Sequence, residues 1–208
     1  RDDRNGWNVP FKIGLKQFLD FAFHPNWSIQ SLINGIPKPM NYETSKSKKG
    51  FVRGESRGSA DWKTLGKLRK VWKNKLVIKG VLSSEDSLLI KNLGADGIYV
   101  SNHGGRQLES APAAINVLSN IRKTVGNSFP LIIDSGIRSG DDIIKALAIG
   151  ANFVMIGRPL MYGIGADGSR GLKKILEIFK NELSTTLGLV GLNDIKDVSS
   201  KVLYRYKG

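Results

Sequence analysis

The amino-acid sequence predicts an α/β fold, namely the C-terminal half of a (β/α)8 barrel preceded by a long inserted segment. From residue 76 onward, four short apolar, β-branched runs alternate with segments of helical apolar spacing, as in parallel β/α units. The sequence also contains a weak internal repeat: residues 93–96 (Leu-Gly-Ala-Asp) resemble residues 149–152 (Ile-Gly-Ala-Asn), and each predicts a helix end that leads into a strand. Four such units are half of an eight-fold barrel, so we expect the other half to lie upstream of this chain. Half a barrel would expose two unpaired strand edges.

Each strand and helix has its own local signal. The apolar runs that predict strands are residues 76–80, 97–101, 130–134 and 153–157. The first predicted helix begins at a capping box of Ser83 and Asp86 and ends at Gly94. A second helix is expected over residues 113–125. A third begins at Ser139 with Asp142 and ends at Gly150, and apolar residues with helical spacing between 172 and 187 predict a last helix.

The first 75 residues differ in composition from the predicted half barrel, which covers residues 76–208. They hold 16 Lys and Arg against 6 Asp and Glu, whereas residues 76–208 hold 16 against 12, within a net charge of +14. Residues 11–33 mix apolar and basic side chains, and residues 40–60 have the composition of a flexible loop. The basic segment suggests an anionic partner such as a membrane surface, nucleic acid or an acidic substrate, although a merely solvated basic face remains the alternative.

Composition excludes several kinds of site. The chain has no cysteine and two histidines, so we expect neither a disulfide nor a metal site. It also has no run of eighteen apolar residues that would span a membrane as a helix.

Polar residues follow each predicted strand, where a β/α barrel places its active site. Lys79 ends the first strand, and a cation there would stabilise negative charge on an electron-rich ring, unless it is only a lysine that extends to solvent. His103 follows the second strand between an asparagine and two glycines; it suits a general base, or else a histidine satisfied by loop hydrogen bonds. Arg106 could bind a carboxylate bidentately. A base and a carboxylate clamp on one loop suit the oxidation of an α-hydroxy acid.

The third and fourth strand ends have the composition of phosphate-binding turns. Glycine-containing pairs at residues 135–136 and 157–158 would offer backbone N–H groups and a helix N-terminus to a phosphate. Arg138 and Arg158 would add positive charge, and Asp134 could bind sugar hydroxyls.

At these residues the sequence resembles the FMN-dependent L-2-hydroxy acid dehydrogenases and oxidases. The resemblance rests on residues 101–108 (SNHGGRQL), 134–140 (DSGIRSG), 146–151 (ALAIGA) and 157–159 (GRP). It implies FMN as cofactor, His103 as catalytic base and Arg106 as the substrate-carboxylate ligand. The implied FMN contacts are Lys79 at the flavin N1/O2 edge, Ser101 near the ring, Asp134 on the ribityl chain, and Ser135, Gly136, Arg138, Gly157 and Arg158 around the phosphate.

Residues 4–7 (RNGW) and 24–27 (HPNW) resemble the membrane-associated members of this family, particularly the mandelate and lactate dehydrogenases. This resemblance implies a membrane role for residues 8–60, as a segment inserted after the fourth barrel strand. In that case His24 has a structural or interfacial role. The expected protein is a homo-oligomer, a tetramer as in the family, located in the cytoplasm and peripheral on the inner face of the cytoplasmic membrane, which passes electrons to a quinone. The alternative within the family is a soluble oxidase that uses oxygen. The family's second substrate arginine and the aspartate that orients the histidine match no residue of this chain.

Two other classes fit less well. A phosphate-binding barrel related to inosine-monophosphate dehydrogenase needs a catalytic cysteine, which this chain does not have. A basic nucleic-acid-binding module leaves the polar residues at successive strand ends unexplained, so we expect no nucleic-acid partner.

Overall fold

The computed structural model describes residues 14–35 and 61–204, and the chain divides into two compact units, Arg1–Trp62 and Lys63–Gly208. The amino-acid composition predicts this division at residue 75. The difference arises because the segment before the first strand packs with the second unit: the Arg69 guanidinium lies 3.1 Å from Asp96 Oδ2. The predicted loop at residues 40–60 lies outside the described residues.

The segment concerned is helix α3 (Trp62–Val71), and nearly all of it belongs to the second unit. Besides the contact with Asp96, the Arg69 guanidinium donates to the carbonyl of Asn74 at 3.1 Å, and the Trp72 ring N–H donates to the carbonyl of Lys75 at 3.0 Å. These bonds tie the end of α3 to the start of the first strand.

The described part of the first unit consists of two helices, α1 (Leu15–Phe23) and α2 (Pro25–Asn34). They join at His24, whose Nδ1 lies 2.8 Å from the carbonyl oxygen of Asp20. The Phe21 and Trp27 rings contact each other with centroids 5.2 Å apart. Neither helix has a buried residue within this unit, so the mixture of apolar and polar side chains at residues 14–35 forms helices with largely exposed apolar side chains.

The second unit is built on a four-stranded parallel sheet in the order β1-β2-β3-β4, with consecutive strands as neighbours. The strands are β1 (Val77–Val81), β2 (Gly97–Val100), β3 (Leu131–Ile133) and β4 (Phe153–Val154). The connecting helices are α4 (Ser84–Asn92), α5 (Ala114–Val125) and α6 (Gly140–Ile149), and α7 (Arg158–Leu189) follows β4. All four predicted strands are present, although β4 has only two residues.

One face of this sheet forms the core with the helices. Ile98, Val100, Leu131 and Ile133 alternate along β2 and β3 and are fully buried. They pack in one cluster with α5 residues that include Leu118 and are also fully buried. The intervening residues of β2 and β3 point to the opposite face, because successive side chains of a strand alternate between faces.

The helix ends follow the predicted capping signals. Ser83 accepts a hydrogen bond from the Asp86 N–H at 3.2 Å, and Ser139 and Asp142 form the complete capping box. Helix α7 begins at Arg158, earlier than the apolar spacing indicates, and is interrupted at Asp167 and Gly168. Pro159 in its first turn is typical of a helix start.

The repeated helix end has the same structural role at both places. Asp96 Oδ2 accepts the N–H of Leu76 at 2.9 Å, and Asn152 Oδ1 accepts the N–H of Leu131 at 2.9 Å. Each oxygen also accepts a hydrogen bond from an arginine: Arg69 Nη1 donates to Asp96 Oδ2 at 3.1 Å, and Arg122 Nη2 donates to Asn152 Oδ1 at 2.6 Å. The fourth residue of the repeat therefore satisfies the backbone where the preceding strand begins.

Candidate active site

An ion pair joins Lys79, in the middle of β1, to Asp134, which directly follows β3. Lys79 Nζ donates to Asp134 Oδ2 at 2.7 Å, although β2 lies between their strands. Tyr99 of β2 pairs in register with Lys79, and Lys79 Nζ lies 3.7 Å from the centroid of its ring. The ammonium group is thus held between a carboxylate and an aromatic face, both of which stabilise its charge.

These contacts shift the titration of both groups. Burial alone would raise the pKa of Asp134, but hydrogen bonds from Lys79, Ser101 and Ser135 outweigh it and hold the pKa below its usual value. Burial would likewise lower the pKa of Lys79, but its bonds with Asp134 and Tyr99 raise it overall. Lys79 and Asp134 are therefore both charged near neutral pH.

His103 begins a 3₁₀ turn (His103–Gly105) directly after β2. Its N–H donates to Ser101 Oγ at 3.0 Å, and Ser101 itself is 2% exposed. At the other end of the turn, the Gly105 N–H donates to Asn102 Oδ1 at 3.1 Å. The turn is fixed by side chains, while the His103 side chain is exposed at the strand ends.

The ends of β3 and β4 contact this turn through Gly104. The Gly104 N–H donates to Ser135 Oγ at 3.1 Å, and Ser135 Oγ donates to Asp134 Oδ1 at 2.7 Å. Arg158 Nη2 donates to the Gly104 carbonyl at 3.2 Å. We call this set the strand-end network: Lys79, Tyr99, Ser101, His103, Gly104, Asp134, Ser135 and Arg158.

The other predicted site residues lie on the same strand ends. The Arg106 N–H donates to the His103 carbonyl at 3.3 Å, which places Arg106 at the end of the histidine turn with an exposed side chain. Gly136 has a left-handed conformation with φ 90°, and Gly157 is the N-cap of α7. Arg138 is exposed, and within the described part of the chain its guanidinium is not hydrogen-bonded to the strand-end network.

Sequence reasoning did not identify Tyr99. Its signal is present in the sequence, because it interrupts an aliphatic strand two residues before Ser101 and so faces the same side of the sheet as Ser101. An isolated strand tyrosine does not reveal its partner, however, and the contact with Lys79 depends on the register between β1 and β2.

The chain matches the FMN-dependent dehydrogenase family over residues 1–205. It belongs to this family. The match confirms the resemblance found at the strand ends, and solved structures of related enzymes confirm the β/α-barrel architecture.

Several similar proteins are named for an enzymatic activity. The chain is 37% identical to (S)-mandelate dehydrogenase of Pseudomonas putida, over 98% of the chain and 52% of the relative. It is 36% identical to L-lactate dehydrogenase of Bartonella tribocorum, over 98% and 55%. It is also 44% identical to a peroxisomal (S)-2-hydroxyacid oxidase of Arabidopsis thaliana, over 68% and 39%. The chain thus spans about half the length of the full-length mandelate and lactate dehydrogenases.

A crystal structure of the monotopic membrane protein (S)-mandelate dehydrogenase superposes with a TM-score of 0.89. Sequence identity is 36%, and the alignment covers 99% of this chain and 56% of that chain.

The residues at the strand ends fit FMN, the cofactor of this family. The site has a lysine beside the ends of β1 and β3 and an arginine at the N-terminus of α7, which suits a molecule with a polar ring system and a phosphate. A Cβ added at Gly80, Gly136 or Gly157 would meet no atom within 4 Å, so open space adjoins these strand ends. The donor set and the adjoining open space therefore fit the cofactor.

Proposed function

We propose that this protein oxidises an L-2-hydroxy acid, lactate- or mandelate-like, to the 2-oxo acid with FMN as cofactor. The observation that carries the proposal is the strand-end network, which joins the histidine turn to the lysine and arginine suited to FMN. Similarity to mandelate dehydrogenase, lactate dehydrogenase and 2-hydroxyacid oxidase supports the substrate class.

Each residue has a distinct proposed role. His103 takes a proton from the substrate, and Arg106 binds the substrate carboxylate on the same turn. Bound FMN would accept the two electrons and the second proton removed from the CH–OH group of the substrate. Lys79 places a positive charge where the reduced ring would carry negative charge, and Asp134 holds that ammonium group in place at 2.7 Å.

The remaining proposed contacts belong to the cofactor. Asp134 would also bind the ribityl hydroxyls, and Ser101 would lie near the ring. The phosphate would be held at the α7 N-terminus and the β3 end, by the backbone N–H groups of Ser135, Gly136 and Gly157 and by the side chains of Arg138 and Arg158.

Replacing His103 by alanine tests the reaction. In the FMN-loaded full-length enzyme, His103→Ala should retain FMN and slow flavin reduction by substrate about 10²- to 10⁴-fold, because a general base is lost. The measurement is anaerobic bleaching of the flavin absorbance after mixing with lactate or mandelate. His24→Ala is the matched control, because it removes the other histidine, which lies in the first unit. Bleaching of His103→Ala at the parent rate would refute the assignment.

We also propose that the first unit associates with the inner face of the cytoplasmic membrane and that the electrons pass to a quinone. Helices α1 and α2 expose large apolar side chains, among them Phe18 (61%), Phe23 (80%), Leu32 (83%) and Ile33 (77%). Exposed apolar patches of this kind are typical of membrane or protein contact sites. A monotopic membrane protein is among the similar structures. Within residues 14–35 and 61–204, none of the helices combines the length and apolar character needed to cross a membrane.

Liposome co-sedimentation tests this membrane proposal. Serine substitutions at Phe18, Phe23 and Leu32 should release the protein from anionic vesicles, because each buried apolar side chain contributes about 1.5–3 kcal/mol. Leu108→Ser, an exposed residue of the second unit, is the control. Residues 14–35 carry one lysine and one aspartate, so salt should weaken the contribution of α1 and α2 little. Unchanged sedimentation of the triple variant would contradict the proposal, as would unchanged sedimentation after deletion of residues 8–60.

The electron acceptor is tested separately from membrane binding. We expect faster turnover with a quinone analogue than with oxygen alone, and the reverse order would favour the soluble oxidase. Association into a homo-oligomer, a tetramer as in the family, is checked by light scattering of the full-length enzyme.

A further inference from the structure

Two residues other than glycine have a left-handed backbone in the described part of the chain: His103 with φ 58° and Ser135 with φ 74°. They follow neighbouring parallel strands, β2 and β3. A left-handed conformation is strained for residues with a Cβ and persists where surrounding contacts hold it in place. Glycine would adopt this conformation at position 135 without strain, so the serine hydroxyl must offset the strain by its contacts.

The Ser135 hydroxyl makes two contacts that a glycine would lose. It donates its hydrogen to Asp134 Oδ1 at 2.7 Å and accepts the Gly104 N–H at 3.1 Å. Asp134 in turn accepts from Lys79 at 2.7 Å. Because its single hydrogen points to Asp134, a lone pair of the hydroxyl is available to Gly104.

The Gly104 N–H belongs to the peptide that joins His103 to Gly104. The direction of this N–H therefore fixes the orientation of the peptide that follows His103. The backbone conformation of His103, in turn, determines the direction in which its imidazole side chain projects. On the other side of Gly104, the carbonyl accepts from Arg158 at 3.2 Å. Gly104 is thus held on both sides, from the ends of β3 and β4.

We infer that Ser135 is a positioning residue for His103: its hydroxyl holds the histidine turn and couples it to the Lys79–Asp134 ion pair. The inference rests on the proposed function insofar as His103 is the base. It adds a role for the side chain to the backbone phosphate contact proposed for Ser135, because the hydroxyl is engaged by Asp134 and Gly104.

Two substitutions separate the hydroxyl from the backbone strain. Ser135→Ala and Ser135→Gly both remove the hydroxyl, but only Ser135→Gly relieves the left-handed strain. Hydrogen exchange at the Gly104 amide, followed by NMR, should accelerate about three- to tenfold in both variants, as expected for one lost hydrogen bond. The melting temperature of Ser135→Gly should be at or above that of Ser135→Ala. Gly104 exchange would then be accelerated in both variants, whatever the order of their melting temperatures. If Ser135 had only a structural role, the exchange rate would instead follow the melting temperature.

Ser83→Ala is the matched control. Its hydroxyl also accepts a backbone N–H, from Asp86 at 3.2 Å, but belongs to the N-cap of α4. Ser83→Ala should leave Gly104 exchange unchanged. Parent-like Gly104 exchange in both Ser135 variants would overturn the inference, and so would exchange that follows the melting temperature.

The FMN-loaded full-length enzyme supplies the functional measurement. Both Ser135 variants should reduce flavin about three- to tenfold more slowly. Both should bind FMN within about twofold of the parent, because they keep the backbone N–H of residue 135. Weakened FMN binding with unchanged Gly104 exchange would make Ser135 a cofactor contact and overturn the inference. If His103→Ala reduced flavin normally, the proposed function would fail, while Gly104 exchange would still decide whether Ser135 holds the turn.

Discussion

Replacing Arg122 by methionine should destabilise the second unit strongly. Arg122 lies in the last turn of α5 and is only 9% exposed. Its guanidinium donates to five acceptors at 2.6–3.3 Å: the carbonyls of Gly126, Asn127, Phe129 and Gly150, and Asn152 Oδ1. It thereby joins the end of α5, the end of α6 and the segments before β3 and β4.

The magnitude follows from what the substitution leaves behind. Methionine replaces the aliphatic stem of Arg122, but the buried acceptors lose their donor, at about 1–3 kcal/mol for each one that water does not reach. Loss of one partner from a buried charged network typically costs about 3–5 kcal/mol. Burial lowers the pKa of Arg122, because removing the charged guanidinium from water costs free energy. Part of the free energy gained from its hydrogen bonds offsets this desolvation cost. We therefore expect a loss of about 3–5 kcal/mol, or a Tm lower by about 6–20 °C for a chain of this size.

The assay is thermal and urea unfolding followed by circular dichroism. Arg170→Met is the control, because Arg170 is 84% exposed and its ion pair with Asp167 should change stability by less than about 0.5 kcal/mol. Arg122→Lys should fall between parent and Arg122→Met, because one ammonium group cannot reach all the acceptors. A Tm for Arg122→Met within about 2 °C of the parent would refute the reasoning.

Two further predictions concern pH and packing. Because the folded pKa of Asp134 is lowered, its stabilisation is present above its unfolded pKa of about 3.9 and lost as pH falls through the folded value. Because the folded pKa of Lys79 is raised, its stabilisation is present below its unfolded pKa of about 10.4 and is lost as pH rises through the folded pKa. The measurement is unfolding at a series of pH values, in which Asp134→Asn should lack the loss of stability at acid pH that is assigned to Asp134. Gly171→Ala should lower stability by about 1–3 kcal/mol in urea unfolding, because an added Cβ would overlap the carbonyl of Gly163, whereas Gly165→Ala adds a methyl group to open space and should be neutral or stabilising.

Local signals predicted most of the second unit. The four strands and their intervening helices follow from apolar periodicity, and Ser83 and Ser139 mark helix starts that the structure confirms. The repeated helix end also proved to be structural, since Asp96 and Asn152 bond the backbone of the preceding strands. These features depend on neighbours in sequence or on one hydrogen bond of a common type, which a residue pattern can reveal.

Contacts between distant residues could not be predicted in the same way. The sequence places Lys79 and Asp134 at strand ends, but their ion pair spans 55 residues and depends on sheet order. The role of Tyr99 depends on its register with Lys79. The left-handed backbone of Ser135 has no signal in the sequence, because serine is ordinarily right-handed or extended and its contact with Gly104 forms only in the folded chain.

Polar side chains at the two ends of the same strands have different roles. Where the strands begin, Asp96 and Asn152 satisfy backbone N–H groups and arginines, so each contact joins structural elements. Where the strands end, the bonds of Asp134 and Ser135 lead to Lys79 and to the histidine turn, next to glycines with open space. In a β/α barrel the first end serves stability and the second serves chemistry. A substitution at Arg122 should therefore change the melting temperature, whereas one at Ser135 should change the histidine turn, because the two residues have no hydrogen-bond partner in common.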